Sequence, residues 1–366
     1  MVKSSTQKKI KPHVRLSDVA RIAGVSPATA SLALNGKPVA EETRKLVLSI
    51  ADELGFEPNP VAKRLSQGLS NGVVSLFSFV VDIITWHAMS YLHYDLAARG
   101  YEVSFSTNGQ TLLAYPEYTQ TWAANQNLHM HLSSSQTMLA KLCRQLPQAL
   151  IINTDFTYES CDELETYQQR GGTVICLNQA FPLECDQVIF DREENTRMAA
   201  EYLIKAGHRD IGFCSYLKDT HTRGRTYGFV NALRNARIPV NNDWFFDSQG
   251  TYNEGAGARL AERFLALEKR PTAICIVNDF QASSFVNQIM RAGLKVPQDV
   301  SVVSLDGLPA SEYAIVKLTT VTRPWEGISA KTIEFLEKRL RDGYNGPSQQ
   351  AVCTGQLIER ESVRFL

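Results

Sequence analysis

Two short helical patterns joined by a Gly-Val-Ser turn place the strongest constraint on the fold of this chain. The first pattern has Ser17 as its predicted N-cap, and Gly24 is expected to end it because glycine adopts a positive φ without strain. Ser26 is expected to cap the second helix. The first residue of that helix, Pro27, has no backbone N–H, so none is left without a partner there. Two short helices joined in this way form a helix-turn-helix, a motif that can place its second helix in the major groove of DNA.

A third helical pattern starts at Glu41 and Glu42 and stops at Gly55. The two carboxylates suit the positive end of a helix dipole. The apolar spacing predicts that this helix buries one stripe, made of Leu46, Val47, Ile50 and Leu54. Three such helices enclose one small core. A purely structural helix bundle is the alternative to a DNA-binding head.

A set of residues recurs at characteristic spacing across this block, namely Asp18-Val-Ala20, Ala23-Gly-Val-Ser26, Ala28-Thr29, Ser31, Leu34-Asn35-Gly36, Glu42-Thr-Arg44, Glu53-Leu-Gly-Phe56 and Pro58-Asn59. The order and spacing of these residues resemble the LacI/GalR family of bacterial repressors. Two positions depart from the family pattern, since Leu32 stands where an arginine is usual and Ala40 where a serine cap is usual. The candidate DNA-binding residues are Ser17, Pro27, Ala28, Thr29, Ser31, Leu32, Asn35, Ala62, Lys63 and Leu65.

A short helix is expected over residues 61–66, capped by Asn59 and closed by Gly68. It is too short to be stable alone, so its folding must be coupled to something else, for which DNA is the obvious candidate. The resemblance implies that Leu65 is a wedge that opens a base step in the minor groove and kinks the duplex. The small Ala62 would approach the groove floor, and Lys63 would reach phosphates, as would its neighbour Arg64. The alternative is a plain interdomain linker.

Charge divides the chain into a basic head and an acidic body. Residues 1–72 hold 11 of the 38 Lys and Arg but only 6 of the 38 Asp and Glu, which leaves 27 against 32 in the remainder. A basic head favours phosphate contacts, and an acidic body disfavours non-specific binding to nucleic acid. The lysines of residues 1–14 are expected to belong to a disordered tail.

The rest of the chain alternates apolar runs with amphipathic stretches such as Thr196–Ala206 and Gly257–Leu267. Strands that alternate with helices predict parallel sheets, and ligands of such sheets bind beyond the carboxyl ends of the strands. The length suggests two lobes. The predicted strands lie within Val73–Val81, Tyr101–Ser106, Ala149–Asn153, Thr173–Leu177, Ile211–Cys214, Ala273–Val277 and Val300–Leu305.

The resemblance continues along this body and implies a fold like that of periplasmic sugar-binding proteins. The matches are Ala206-Gly-His-Arg209, Gly228-Phe229, Arg270-Pro-Thr-Ala273, Asn278-Asp279, residues 293–303 and Leu318-Thr-Thr-Val321. The expected fold is therefore a small all-α helix-turn-helix head followed by an α/β body of two Rossmann-like lobes. The expected divisions are a tail at 1–14, a head at 15–58, a hinge at 59–71, lobe one at about 72–190 plus 322–345, and lobe two at about 191–321 plus 346–366. The chain would then cross between the lobes near Asp191, Thr322 and Gly346.

Polar residues placed after successive strands become the candidate effector site. Asn and Asp offer paired donors and acceptors to vicinal hydroxyls, Arg offers a planar fork, and an aromatic face can stack on a ring. Each residue taken alone has an alternative role as a helix cap or a loop residue. The predicted ligand is a small polar molecule, most simply a sugar or sugar derivative, bound by Asn153, Asn178, Arg225, Tyr252, Asn278 and Asp306.

Two stretches fit the family pattern poorly. Where relatives carry an Asn-Pro-Phe-Phe-like segment, this chain has Asp82 and Trp86 as possible substitutes. Between Asn108 and Ala149 the chain is longer than the family usual by roughly twenty residues, an insertion that we expect to be a surface loop because long insertions cost little. A cap over the pocket and an extension of a dimer interface are the alternatives. The insert carries Tyr115, Tyr118, Trp122, His129 and His131.

Several classes of function find no support in the sequence. His129 and His131 lack a third metal ligand at a recognisable spacing, and the seven cysteines show no CxxC, which fits a reducing cytoplasm. Gly255-Ala-Gly257 lacks the third glycine of a dinucleotide loop. No signal peptide, membrane span or nucleophile–base set is recognisable. We therefore expect a cytoplasmic, non-enzymatic transcriptional regulator without cofactor or metal.

This regulator is expected to be a homodimer that binds a pseudo-palindromic operator in double-stranded DNA and a small effector. The C-terminal residues show no leucine heptads, so a tetramer-forming tail is not expected. A sugar-binding protein with no role on DNA and a cytoplasmic sugar enzyme are the alternatives.

Overall fold

The computed structural model describes residues 15–34, 37–56, 72–78, 83–107, 137–153, 161–178, 180–216, 223–248 and 254–366. The chain divides into two compact units, Met1–Asn71 and Gly72–Leu366. The predicted tail (1–14), the hinge (59–71) and the aromatic residues of the insert lie outside the described residues. None of the helices within these ranges is long and apolar enough to cross a membrane.

The first unit contains three helices, α1 (Leu16–Ile22), α2 (Pro27–Leu34) and α3 (Glu41–Leu54). Small side chains let these short helices approach one another closely. The core of the head consists of Val19, Ala20, Ala23, Ala30, Ala33, Val47, Ile50 and Ala51.

The turn between α1 and α2 has the predicted chemistry. Gly24 has φ of 65°, and the Ser26 hydroxyl accepts a hydrogen bond from the Thr29 N–H at 3.0 Å. The predicted N-cap of α1 is wrong, because the helix begins at Leu16 and Ser17 lies inside its first turn. The Asp18 carboxylate accepts the Arg15 N–H at 3.0 Å, so a side chain in the first turn, not a serine cap, satisfies the helix start.

The inner stripe of α3 differs from the prediction at one residue. Leu46 is 49% exposed, whereas Val47 is fully buried. Val47, Ile50 and Ala51 follow the helical repeat of three and four residues, and Leu46 lies outside that stripe. The predicted end of the helix is confirmed, since Gly55 is its left-handed cap.

We expect Ala40→Ser to stabilise the head. Ala40 is the N-cap of α3 and makes no side-chain hydrogen bond to the first turn. A serine hydroxyl there would accept one of the free N–H groups, which is worth about 1 kcal/mol. Amide exchange of α3 in the full chain measures this gain. Ala40→Val offers no acceptor and is the control, so equal protection in the two variants would contradict the cap argument.

The second unit alternates strands with helices, as the sequence predicts. The strands are β1 (Val73–Ser78), β2 (Glu102–Thr107), β3 (Ala149–Asn153), β4 (Thr173–Asn178), β5 (Asp186–Phe190), β6 (Ile211–Ser215), β7 (Phe245–Asp247), β8 (Ala273–Ile276), β9 (Ser301–Asp306), β10 (Thr319–Thr322), β11 (Gln350–Cys353) and β12 (Leu357–Ile358). The helices are α4 (Ile83–Ala98), α5 (137–144), α6 (Asp162–Gln169), α7 (Arg192–Lys205), α8 (Arg223–Asn235), α9 (Glu254–Leu265), α10 (Asp279–Arg291) and α11 (Trp325–Leu340).

These strands form two sheets, each at the centre of one lobe. The sheet of lobe one has the order β11-β5-β4-β3-β1-β2, and that of lobe two has the order β12-β10-β9-β8-β6-β7. The pairs are parallel except for β12, which runs antiparallel to β10. Each sheet is covered on both faces, since its alternate side chains enter two separate apolar cores. The predicted two-lobed α/β body is thereby confirmed.

The chain passes between the lobes at three places. The first follows β5 at Asp191, and the second follows β10 at Thr322, where α11 packs back on lobe one. The predicted third crossing near Gly346 is wrong. Because β11 pairs with β5 and β12 pairs with β10, the chain crosses between Cys353 and Leu357.

Residues 346–353 therefore belong to lobe one, and a buried ion pair explains why the chain stays there. The Arg339 guanidinium binds the Asp186 carboxylate through two hydrogen bonds of 2.8 Å and donates to the Gly346 carbonyl at 2.8 Å. These contacts fix the turn after α11, and β11 is then added beside β5.

Candidate DNA interface and effector cleft

The outer surface of α2 has apolar and hydroxyl side chains and no charge. Pro27, Ala28 and Leu32 are exposed, with Leu32 at 38%, and Thr29 and Ser31 are half-buried. The Thr29 hydroxyl lies 2.8 Å from the Ser26 hydroxyl, so the turn already engages it. Ser17 is exposed in the first turn of α1. The candidates that lie outside the described residues are Asn35, Ala62, Lys63 and Leu65.

We expect base recognition by α2 to depend on contacts with thymine methyl groups. Pro27, Ala28 and Leu32 have no side-chain donor, and the C5 methyl of thymine is the apolar feature of the major groove. Replacing the operator thymines one at a time by uracil removes only that methyl group and should weaken binding at one or more positions. Uracil at flanking positions is the control. An operator that tolerates every such replacement would refute this mode of readout.

In lobe one, two of the predicted effector residues touch each other. Asn153 ends β3 and donates from Nδ2 to the Ser78 hydroxyl at the end of β1, at 3.1 Å. Asn178 ends β4, has φ of 76° and donates from Nδ2 to Oδ1 of Asn153. All three side chains are buried. They lie at the carboxyl ends of neighbouring strands, next to the point where the strand order reverses between β1 and β3, which is where open α/β sheets bind ligands.

In lobe two, Asn278 lies just after β8, and Asp306 ends the adjacent strand β9. Oδ1 of Asn278 caps α10 by accepting the Gln281 N–H at 2.8 Å, so this residue has the alternative, structural role as well. Asp306 is 2% exposed with φ of 101°, and its Oδ1 accepts from Nε of Arg323 at 2.6 Å. Its Oδ2 has no hydrogen-bond partner within the described part of the chain, which leaves one buried acceptor for a ligand.

The remaining predicted effector residues are placed less completely. Arg225, on α8 of lobe two, is 6% exposed. Tyr252 and Asp82 lie outside the described residues. Trp86 lies on α4, is 55% exposed and packs edge-to-face on Phe105 with 5.9 Å between the ring centres. No hydrogen bond joins the lobe-one and lobe-two members of the predicted set in the ranges given above.

A buried carboxylate beside this site was missed by the sequence reasoning. Asp279 accepts hydrogen bonds from the Leu308 N–H at 2.5 Å, the Thr320 hydroxyl at 3.0 Å and the Ser304 hydroxyl. Burial, and secondly the charge of Asp306, raise the pKa of Asp279 to about 7. The sequence signal was present in the Asn278-Asp279 pair, but the partners of Asp279 are 25 to 41 residues away along the chain.

Two arginines at the lobe crossings were also missed. Arg323 lies directly after β10, and besides binding Asp306 its guanidinium is 5.1 Å from the centre of the Phe190 ring. Arg192 begins α7, and its guanidinium lies 5.3 Å from the centre of the same ring. Its Nη1 donates a hydrogen bond to the Asn178 carbonyl at 2.7 Å. These two side chains therefore connect the strand-end residues of the two lobes to the crossing segments.

Comparison with known proteins agrees with both units. Residues 15–59 match the family model described as bacterial regulatory proteins, lacI family, and residues 200–363 match a periplasmic binding protein-like domain. The chain is 27% identical over 329 residues to the HTH-type transcriptional repressor PurR of Vibrio parahaemolyticus, covering 89% of this chain and 92% of that protein. It is 28% identical to PurR of Photobacterium profundum, covering 96% and 99%.

Solved structures show the same fold. A lac repressor dimer bound to operator and the anti-inducer ONPF has a TM-score of 0.69 at 21% identity, covering 96% of this chain and 99% of that one. A complex of the transcriptional regulator CelR with cellobiose has a TM-score of 0.64 at 21% identity, covering 95% and 99%. With a lacI-family helix-turn-helix domain followed by a two-lobed body like that of the periplasmic binding proteins, the chain has the two parts of a DNA-binding transcriptional regulator.

Proposed function

We propose that this regulator binds a pseudo-palindromic operator as a homodimer and that a small polar effector, held between the lobes of its body, controls that binding. The observation that carries the effector proposal is that buried polar side chains lie at the carboxyl ends of strands in both sheets. Asn153 and Asn178 are contributed by lobe one, and Asn278 and Asp306 by lobe two. The unpartnered Oδ2 of Asp306 supports its role as an anchor.

A sugar or sugar derivative fits this set best. A polyol loses many hydrogen bonds to water when it enters a cleft, and a ring of amide, carboxylate and guanidinium groups can replace them. Asp306 and Arg225 would be the main anchors, the asparagines would add hydrogen bonds, and Tyr252 would supply a stacking face. The similarity in fold to a CelR–cellobiose complex supports a carbohydrate ligand.

Control by such a ligand follows from differential affinity. A ligand that contacts both lobes binds most tightly when they are at one particular angle, so it shifts the population of lobe arrangements towards that angle. If the operator is bound more tightly by one arrangement than by another, effector and operator affinities are linked reciprocally. We propose that the protein acts in this way in the cytoplasm, by binding and without a catalytic step.

Salt dependence on a selected operator tests the DNA-binding part of the proposal. Duplexes are selected from a random library with the full-length protein, and affinity is then measured at several salt concentrations. A basic head that neutralises phosphates predicts a steep linear fall of log affinity with log salt, and a dimer predicts that an isolated half-site binds much more weakly. Salt-insensitive binding, or equal affinity for whole and half sites, would reject it.

A further inference from the structure

We infer that Asn195 is a positioning residue that clasps the segments crossing between the lobes and so sets the lobe angle at the effector site. This inference rests on the proposed function only in the last step, where the lobe angle controls operator affinity. The clasp itself is a property of the body of the protein.

Asn195 uses both ends of its side-chain amide on two different crossing segments. It is 2% exposed and lies in the first turn of α7, directly after the crossing at Asp191. Nδ2 donates to the Thr322 carbonyl at 2.8 Å, and Oδ1 accepts the Gly355 N–H at 2.8 Å. One side chain therefore joins the start of α7 to both of the other crossings.

The crossing segments also bind one another through their backbones. The Thr322 N–H donates to the Gln356 carbonyl at 2.8 Å, and the Gln356 N–H donates to the Thr322 hydroxyl at 3.0 Å. The Asp191 N–H donates to the Cys353 carbonyl at 3.0 Å. The three segments thus form one hydrogen-bonded group, and Asn195 contributes its side-chain link to the second and third.

Gly355 is the residue that makes this close approach possible. A Cβ at position 355 would lie 1.7 Å from the Thr322 carbonyl oxygen and 2.7 Å from Nδ2 of Asn195. Both distances are far below van der Waals contact, and the nearer atom is backbone that has no side-chain freedom to move away. The absence of a side chain at 355 and the presence of an amide at 195 are therefore complementary features of the same clasp.

This arrangement bears on the lobe angle because hinges absorb motion in a few backbone dihedrals. Rotation of one lobe against the other must change the backbone at the crossings, where Thr322 and Gly355 lie. Such rotation lengthens or misaligns the two hydrogen bonds of Asn195, so the clasp favours the lobe arrangement in which both are formed. A buried amide left with one unpaired end would oppose other arrangements.

Two variants at position 195 separate the halves of the clasp. Asn195→Asp keeps the acceptor for Gly355 but loses the donor, and it sets a carboxylate oxygen against the Thr322 carbonyl. Asn195→Ala removes both hydrogen bonds. Thr196→Val is the matched control, because Thr196 is the next residue on α7, is fully buried and donates to the Arg192 carbonyl at 2.9 Å within the same helix. Thr196→Val also loses a buried hydrogen bond, but Thr196 does not link one crossing segment to another.

The experiment measures full-length variants by amide exchange at Gly355, by small-angle scattering without any ligand, and by affinity for the operator selected with wild type. We expect faster Gly355 exchange in Asn195→Ala but not in Asn195→Asp, and altered scattering in both. We expect operator affinity to change in both by about fivefold or more, the effect of losing one hydrogen bond from a two-state equilibrium. Thr196→Val should match wild type in all three readouts.

Unchanged scattering in both Asn195 variants would overturn the clasp. Altered scattering with operator affinities within error of Thr196→Val would overturn its control of operator affinity. If Asn195→Ala does not fold, the scattering and affinity of Asn195→Asp decide alone. Failure of the proposed function gives a different result, since wild type itself would then select no operator. In that case altered scattering in the Asn195 variants would still support the clasp, and unaltered scattering would overturn it.

Discussion

Between pH 4 and pH 8 the free energy of unfolding of the wild-type body should fall by about 4 kcal/mol, and Asp279→Asn should abolish this fall. Burial raises the pKa of this carboxyl from 3.8 to about 7, with the neighbouring Asp306 charge as the second cause. The folded protein therefore holds a proton on Asp279 at pH values where the unfolded chain has released it.

The direction of the pH effect follows from this difference. Below pH 4 Asp279 is protonated in both states, and its favourable contribution to folding is fully present. As the pH rises through about 7 the folded state must ionise a buried group, and the contribution is lost. Wild type should thus lose stability relative to Asp279→Asn across this range. Denaturant unfolding of both proteins at several pH values gives the difference directly.

Asp210 offers a control for this measurement, because its carboxylate is 37% exposed and its ion pair with Lys269 lies at the surface. Asp210→Asn should leave the wild-type pH profile nearly unchanged, since exposed ion pairs contribute about 1 kcal/mol or less. Parallel pH profiles for wild type and Asp279→Asn would show that folding does not raise the pKa of Asp279, which would contradict this account.

The second large effect is the loss of effector binding in Asp306→Ala and Arg225→Ala. Under the proposed function, each variant removes one of the two charged anchors of the effector. Charged hydrogen bonds of this kind contribute about 1.5–3 kcal/mol each, so affinity should fall by roughly 10- to 100-fold per variant. Calorimetry of full-length protein with a panel of sugars, cellobiose included, measures the loss.

Asp306→Ala is expected to lower the stability of the protein as well as its affinity for the effector. It removes the carboxylate that pairs with the Arg323 guanidinium, and breaking a buried pair costs about 3–5 kcal/mol of stability. Arg225→Ala is therefore the cleaner test of binding, and Lys269→Ala, on a surface ion pair with Asp210, serves as the control that should bind as wild type does. A ligand that binds both anchor variants normally would place the pocket elsewhere.

The sequence predicted the strands whose residues form one continuous apolar run. β3 and β4 read as continuous apolar runs because both faces of a central parallel strand are buried, and the structure confirms them. Two strands of lobe one were not predicted. β5 contains the buried Asp186, and β11 is an edge strand with two exposed residues, so neither forms an apolar run. The error in the third crossing follows directly from missing β11.

The candidate site was predictable only in part for a similar reason. Asn153, Asn178, Asn278 and Asp306 were predicted by position, since each ends or directly follows an apolar run. The long-range contacts of the neighbouring crossing segments were not predicted. Arg323 meets Asp306 across 17 residues, and Asn195 meets Thr322 across 127 and Gly355 across 160. Partners so distant in sequence leave no spacing that a single chain reveals.

The measurement that tests the central claim most directly is operator affinity with and without the sugar that wild type binds. If one protein senses a ligand and regulates DNA binding, saturating sugar should change operator affinity by about 5- to 150-fold, and operator should change sugar affinity by the same factor. Arg225→Ala should bind operator like ligand-free wild type and fail to respond at that sugar concentration. Operator affinity that is unchanged at saturation by every ligand the wild type binds would contradict the account.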